Sequence, residues 1–150
     1  MMVRFILAAA VLAAGIGAAA AQDNVVNERA ALMYDQGKIM FGALNKMVRG
    51  EAPYDQATVD ADFAKLKEIA HKLPTLYPAG SKGQSPDADY YASDKVWANK
   101  ADFDAHFQKL IAAIDANAPK ATSLEGLKTA RAAIVETCGD CHEIYRVKKN

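Results

Sequence analysis

Cys138-Gly139-Asp140-Cys141-His142 lies on a run in which Leu124, Leu127, Arg131, Ile134, Cys138, Cys141 and Tyr145 follow one another at alternating steps of three and four. That spacing is the seam of an amphipathic helix, and it predicts a helix that buries this row. Residues 138, 141 and 142 fall within one helical turn, so both thiols and the imidazole project toward the same side. Two thiols so placed can each add to a vinyl group of a haem, while the imidazole that follows reaches the iron. The competing interpretation is a redox-active or structural thiol pair that happens to precede a histidine. Catalytic dithiols sit at a helix N-terminus in folds with strands, where the dipole lowers the thiol pKa. Here the pair lies about four turns inside a helix.

Working back from that segment, the chain reads as helix almost throughout. The last helix is expected to start at Thr122 or Ser123, with Glu125 three residues after Thr122 as in a capping box. Phe103, Phe107, Leu110, Ile111 and Ile114 form the stripe of a helix from about Lys100 to Asn117, ended by Pro119. Val59, Phe63, Leu66 and Ile69-Ala70 do the same from about Asp55 to His71, ended by Pro74. Leu32, Met33, Ile39, Met40, Ala43, Leu44, Met47 and Val48 mark a helix from about Asn24 to Arg49, stopped by Gly50 and Pro53. No segment alternates with period two over a useful length. Residues 74–99 are long for a connection and carry Pro78, Pro86, Tyr90-Tyr91 and Val96-Trp97. Such a stretch is either functional or ordered around its own aromatics. The fold class is therefore all-α, a four-helix bundle.

The start of the chain is of another kind. Arg4 precedes an uncharged apolar run from Phe5 to about Gly17, and Ala19-Ala20-Ala21 fits a cleavage site before Gln22. Residues 1–21 read as a secretory signal peptide cleaved after about Ala21, and 22–150 as the bundle domain. The apolar run is short for a membrane span. Removing 21 of 150 residues leaves 129, enough for one core. The remainder carries 17 Lys+Arg against 18 Asp+Glu, because only Arg4 is lost. That balance argues against nucleic-acid binding. Two cysteines this close make no disulfide framework. His71 and His106 are isolated, which leaves a structural zinc site short of ligands.

Several motifs together resemble the class II c-type cytochromes, the cytochrome c′ family, over essentially the whole chain after residue 21. They are Arg29-x-x-x-Met33, Gly50-Glu51-Ala52-Pro53-Tyr54-Asp55, Val96-Trp97, and Cys138-x-x-Cys141-His142-x-x-Tyr145-Arg146. The resemblance implies an antiparallel up-down bundle with one haem c, covalent through Cys138 and Cys141, and a periplasmic location. It is closest to the low-spin cytochrome c-556 type, in which a methionine of the first helix is the sixth iron ligand. Met33 matches that position, giving His142 and Met33 as metal ligands.

From the residues alone, Met33, Met40 and Met47 are seven apart, and such a stripe is more often core filling than ligation. Gly37, one turn after Met33, leaves room for a flat group to approach the backbone. Arg29 and Arg146 are candidates for pairing with haem propionates, or else surface charges. Tyr145 and Trp97 either pack against the haem or close the bundle. The expected function is a one-electron carrier acting with periplasmic redox proteins, not an enzyme. The alternative is a five-coordinate, high-spin protein that binds small gases such as nitric oxide or carbon monoxide. The resemblance also makes a homodimer through the first two helices a candidate assembly.

Overall fold

The computed structural model describes residues 22 and 24–150; the expected signal peptide lies outside the described residues. Apolar residues at helical spacing build four long helical segments, packed as an antiparallel up-down bundle. The first is divided into α1 (24–41) and α2 (Ala43–Val48). The others are α3 (Gln56–Lys72), α5 (Lys100–Asn117) and α6 (Leu124–Tyr145), with a one-turn helix α4 (Lys95–Ala98) before α5. Side-chain caps fix two of the starts. Asp55 accepts the Thr58 N–H at 2.8 Å at the head of α3, and Ser123 accepts the Gly126 N–H at 3.1 Å at the head of α6. The Ser123 cap replaces the capping box expected from Thr122.

Each helix turns one stripe inward. Met40, Leu44, Val59, Leu66, Ile69, Leu73, Ile114, Leu127 and Ile134 are all essentially inaccessible to solvent. Burying each such side chain contributes about 1.5–3 kcal/mol. Helix one departs from the expected continuous run at Gly42, whose φ of −90° and ψ of −115° interrupt the helix. A Cβ there would lie 2.3 Å from the Lys38 carbonyl oxygen, so only glycine fits. Arg131 of α6 anchors the same region, donating from Nε to the Met40 carbonyl at 2.7 Å. This explains an arginine on an otherwise apolar seam.

The connection from α3 to α5 is ordered around its own aromatics, as one of the two expectations had it. Tyr77 is buried, edge-on to Phe103 at 4.7 Å, and Trp97 Nε1 donates to the Pro78 carbonyl at 3.0 Å. The end of the chain is tied back to this connection and is not a free tail. β1 (Tyr90–Ala92) and β2 (Arg146–Lys148) form an antiparallel ribbon in which Tyr91 pairs with Val147. Lys149 extends it by donating its backbone N–H to the Asp89 carbonyl at 2.8 Å. Three-residue strands are too short for a period-two pattern to show in sequence.

Candidate functional site

The cysteine–histidine motif faces a cleft between α1, α5 and α6. From α6 come Thr137, Cys138, Cys141 and His142, from α5 His106, Phe107 and Leu110, and from α1 Met33 and Gln36. The exposed lining is almost wholly apolar. The motif is held in place from behind. Tyr145, one turn past Cys141, is buried edge-on to Phe103 at 5.1 Å, and its hydroxyl donates to Asp102 Oδ2 at 2.5 Å. The same carboxylate oxygen lies 3.6 Å from His106 Nε2.

Burial sets the protonation of the motif. The Cys138 thiol is pushed up by desolvation, and Cys141 rises to about 11 for the same cause, with Cys138 and Asp102 adding to it. Both thiols are therefore protonated near neutral pH. A redox dithiol needs the reverse, a lowered thiol pKa. His142 is lowered to about 4, first by burial and then by Arg146, so its imidazole is neutral and has a lone pair to offer a metal.

The expected site residues divide. Cys138, Cys141, His142 and Met33 share the cleft. Arg29 and Arg146 are not among its lining residues. Arg29 is buried, and it donates from Nη1 to the Ser81 carbonyl at 2.7 Å and from Nη2 to the Gly83 carbonyl at 3.2 Å. Its guanidinium also lies 5.0 Å from the Tyr77 ring centre and 5.3 Å from that of Trp97. It ties α1 to the α3–α5 connection. Arg146 is exposed and stacks 4.4 Å over Tyr90. Trp97 and Tyr145 close the aromatic end of the bundle.

The methionine stripe also divides. Met40 and Met47 are 2% and 4% exposed and belong to the central core, whereas Met33 is half-buried at the cleft. Tyr34 beside it is 69% exposed and packs with Lys38, away from the motif. Gln36 had no signal in sequence; it reads as one more polar residue. His106, which the sequence sets between Phe103 and Phe107 as a minor alternative to the expected iron ligands, joins the cleft but faces Asp102.

These residues fit a covalently bound haem. Two protonated thiols, a neutral imidazole and a thioether open on one apolar cleft. The Nε2 of Gln36 is buried there with no acceptor among the described residues. A Cβ on Gly37 would meet nothing within 4 Å beyond its own stretch of helix, so α1 is bare one turn beyond Met33.

Known proteins point the same way. The family model described as cytochrome C′ matches residues 24–146. The chain is 38% identical over 149 residues to cytochrome c-556 of Rhodopseudomonas palustris, covering 99% of each. The structural model of oxidised cytochrome c556 from that organism superposes with a TM-score of 0.72, covering 84% of this chain and 98% of the other. Cytochrome c′ of R. palustris is 34% identical over 150 residues, covering all of both chains, and its structure gives a TM-score of 0.75 over 84% of this chain and 98% of that one. A mutant of cytochrome c prime from Alcaligenes xylosoxidans, solved as its nitric oxide complex, is 27% identical with a TM-score of 0.72, covering 85% and 97%. With the motif, the bundle and relatives matched along nearly their whole length, the chain belongs to the cytochrome c′ family, whose covalent cofactor is haem c.

Proposed function

We propose that this protein is an exported, periplasmic one-electron carrier whose haem c is attached through Cys138 and Cys141, with its iron held between His142 and Met33. Haem c supplies the one-electron ferric–ferrous chemistry when bound. His142 offers a neutral imidazole, since burial keeps its ring proton-free on one nitrogen at neutral pH. Met33 offers a soft thioether, and the pairing of histidine with methionine favours a raised potential. Phe107 and Leu110 keep water from the site. Two side chains that stay in place in both oxidation states leave little to reorganise with each electron and no open position for a substrate. We assign it carrier work with periplasmic redox proteins, not catalysis. No helix among the described residues is long and apolar enough to cross a membrane.

The observation that carries this reading is the division of the methionine stripe: Met33 lines the cleft while Met40 and Met47 fill the core. Met33→Ala tests it. The variant holoprotein is expected to become high-spin and to bind carbon monoxide in the reduced state. An absorption spectrum unchanged by the substitution, with or without carbon monoxide, sinks the assignment.

The second reading is a high-spin protein that binds small gases, with Met33 acting only as bulk over an open iron. It is favoured by the nitric oxide complex solved for the A. xylosoxidans relative. Prompt carbon monoxide binding by the unmodified reduced protein selects it; resistance to carbon monoxide selects the carrier.

A further inference from the structure

Gln36 is 8% exposed, and its buried Nε2 reaches no acceptor among the described residues. A carboxamide N–H withdrawn from water without a partner is costly and rare in folded proteins. Its place suggests what would satisfy it. Gln36 lies three residues after Met33 on α1, so the two side chains are neighbours on one helix face, and both line the cleft. Of the other polar side chains there, Thr137 Oγ1 donates to the Ile134 carbonyl at 2.8 Å, His106 faces Asp102, and the imidazole of His142 is the one committed to the iron. The surrounding lining is apolar, where a neutral, soft acceptor is tolerated better than a carboxylate.

A thioether sulfur is such an acceptor, and it retains a lone pair when the other is given to a metal. Methionine, unbranched with three rotatable bonds, can turn its sulfur into the cleft and toward the carboxamide together. We propose that Gln36 is a positioning residue for the sixth ligand, donating an N–H to the Met33 sulfur when that sulfur holds the iron. This inference rests on Met33 being the ligand. The bond fixes the thioether in one rotamer and draws electron density from the sulfur. Hydrogen bonding around a ligand is one of the protein's means of setting a haem potential, and here it favours the reduced state.

The test uses holoprotein carrying Gln36→Leu or Gln36→Asn. It reads the midpoint potential and the sulfur-to-iron charge-transfer absorption of the oxidised form. Gln36→Leu is expected to keep that absorption but shift it, and to lower the equilibrium constant for reduction by at most about twelve-fold, the bound set by the whole worth of one hydrogen bond. Gln36→Asn, which keeps a donor on a shorter stem, is expected to recover part of the loss. A potential and an absorption identical to the unmodified protein's in Gln36→Leu overturn the role of Gln36 while leaving Met33 as ligand. Absence of the charge-transfer absorption from the unmodified protein overturns the carrier reading and this inference with it. Should Gln36→Leu fail to assemble, proton NMR of the reduced unmodified protein decides. A slowly exchanging Gln36 carboxamide proton close to the Met33 methyl group is expected, and one exchanging freely with water overturns the proposal.

Discussion

On the α6 side of the cleft, Thr137, Cys138, Cys141 and His142 fall within one continuous stretch of helix, whereas on the α1 side Met33 and Gln36 belong to a helix whose other buried methionines fill the core. The α6 wall is local. One turn of backbone sets the relation between its two thiols and its imidazole, and neighbouring residues hold that turn still. The α1 wall depends on distant parts of the chain. Arg131, far along in sequence, grips the Met40 carbonyl, and Arg29 is gripped in turn by the Ser81 and Gly83 carbonyls. Chemistry concentrated in a few consecutive residues survives as a motif. Chemistry that depends on how two elements meet leaves almost no trace in either one.

The contrast breaks most completely at the thiols. Changing both Cys138 and Cys141 to serine is expected to abolish covalent haem, with no haem mass left on the denatured chain by mass spectrometry. Either single change should leave one thioether link. If the double variant retains the haem mass, the α6 wall is not the attachment site.

A smaller effect is expected on the other wall. Arg29→Leu removes a charged donor from buried carbonyls and lifts the guanidinium from Tyr77 and Trp97. It should destabilise the fold by about 1.5–3 kcal/mol, a value typical of hydrogen bonds to a charged group. Denaturant unfolding of the holoprotein measures it, and covalent haem should be unaffected. A loss well under that range would mean that α1 is held by core packing alone.

The remaining test is alkaline pH, acting on the aromatic end behind Arg29. Burial raises the Tyr77 phenol to about 12, with Arg29 pulling slightly the other way. The folded state holds that proton more tightly than the unfolded chain, whose tyrosines titrate near 10. Its contribution is therefore full below about pH 10 and is lost as pH rises to about 12, amounting to about 2.7 kcal/mol at two units. Tyr77→Phe should reduce the slope of stability across that window, the remainder belonging to Tyr145, whose phenol is also raised to about 12 by burial and Asp102. Equal slopes in the two proteins would show that Tyr77 ionises without opening the core.

The helices themselves were legible because apolar residues recur at helical spacing along each. α5 runs over the expected residues, and α3 differs by one residue at each end. Of the two expected starts of α6, Thr122 and Ser123, the helix takes the second; both residue types cap helices, and the backbone entering the helix decides between them. The break at Gly42 went unread because glycine inside an apolar stripe looks like ordinary variation until the Lys38 carbonyl is seen against it. Arg29 was legible as a propionate partner or a surface charge but not as a clamp, since its partners are backbone carbonyls, which every residue has. Gln36 carried no signal, because a carboxamide becomes informative only when it is buried without a partner.

The residue pattern alone was sufficient for a four-helix chain, a cysteine–histidine motif on the buried face of the last helix, and a stripe of methionines on the first, among which only the family resemblance singled out Met33. These follow from periodicity and side-chain chemistry, both written along the chain. Which of three equivalent methionines meets the motif, where Arg29 is anchored, and which polar group stands beside Met33 were settled only when the helices packed. Helical periodicity places a residue on a face, but only the neighbouring helices and connection determine whether that face meets core, cleft or solvent.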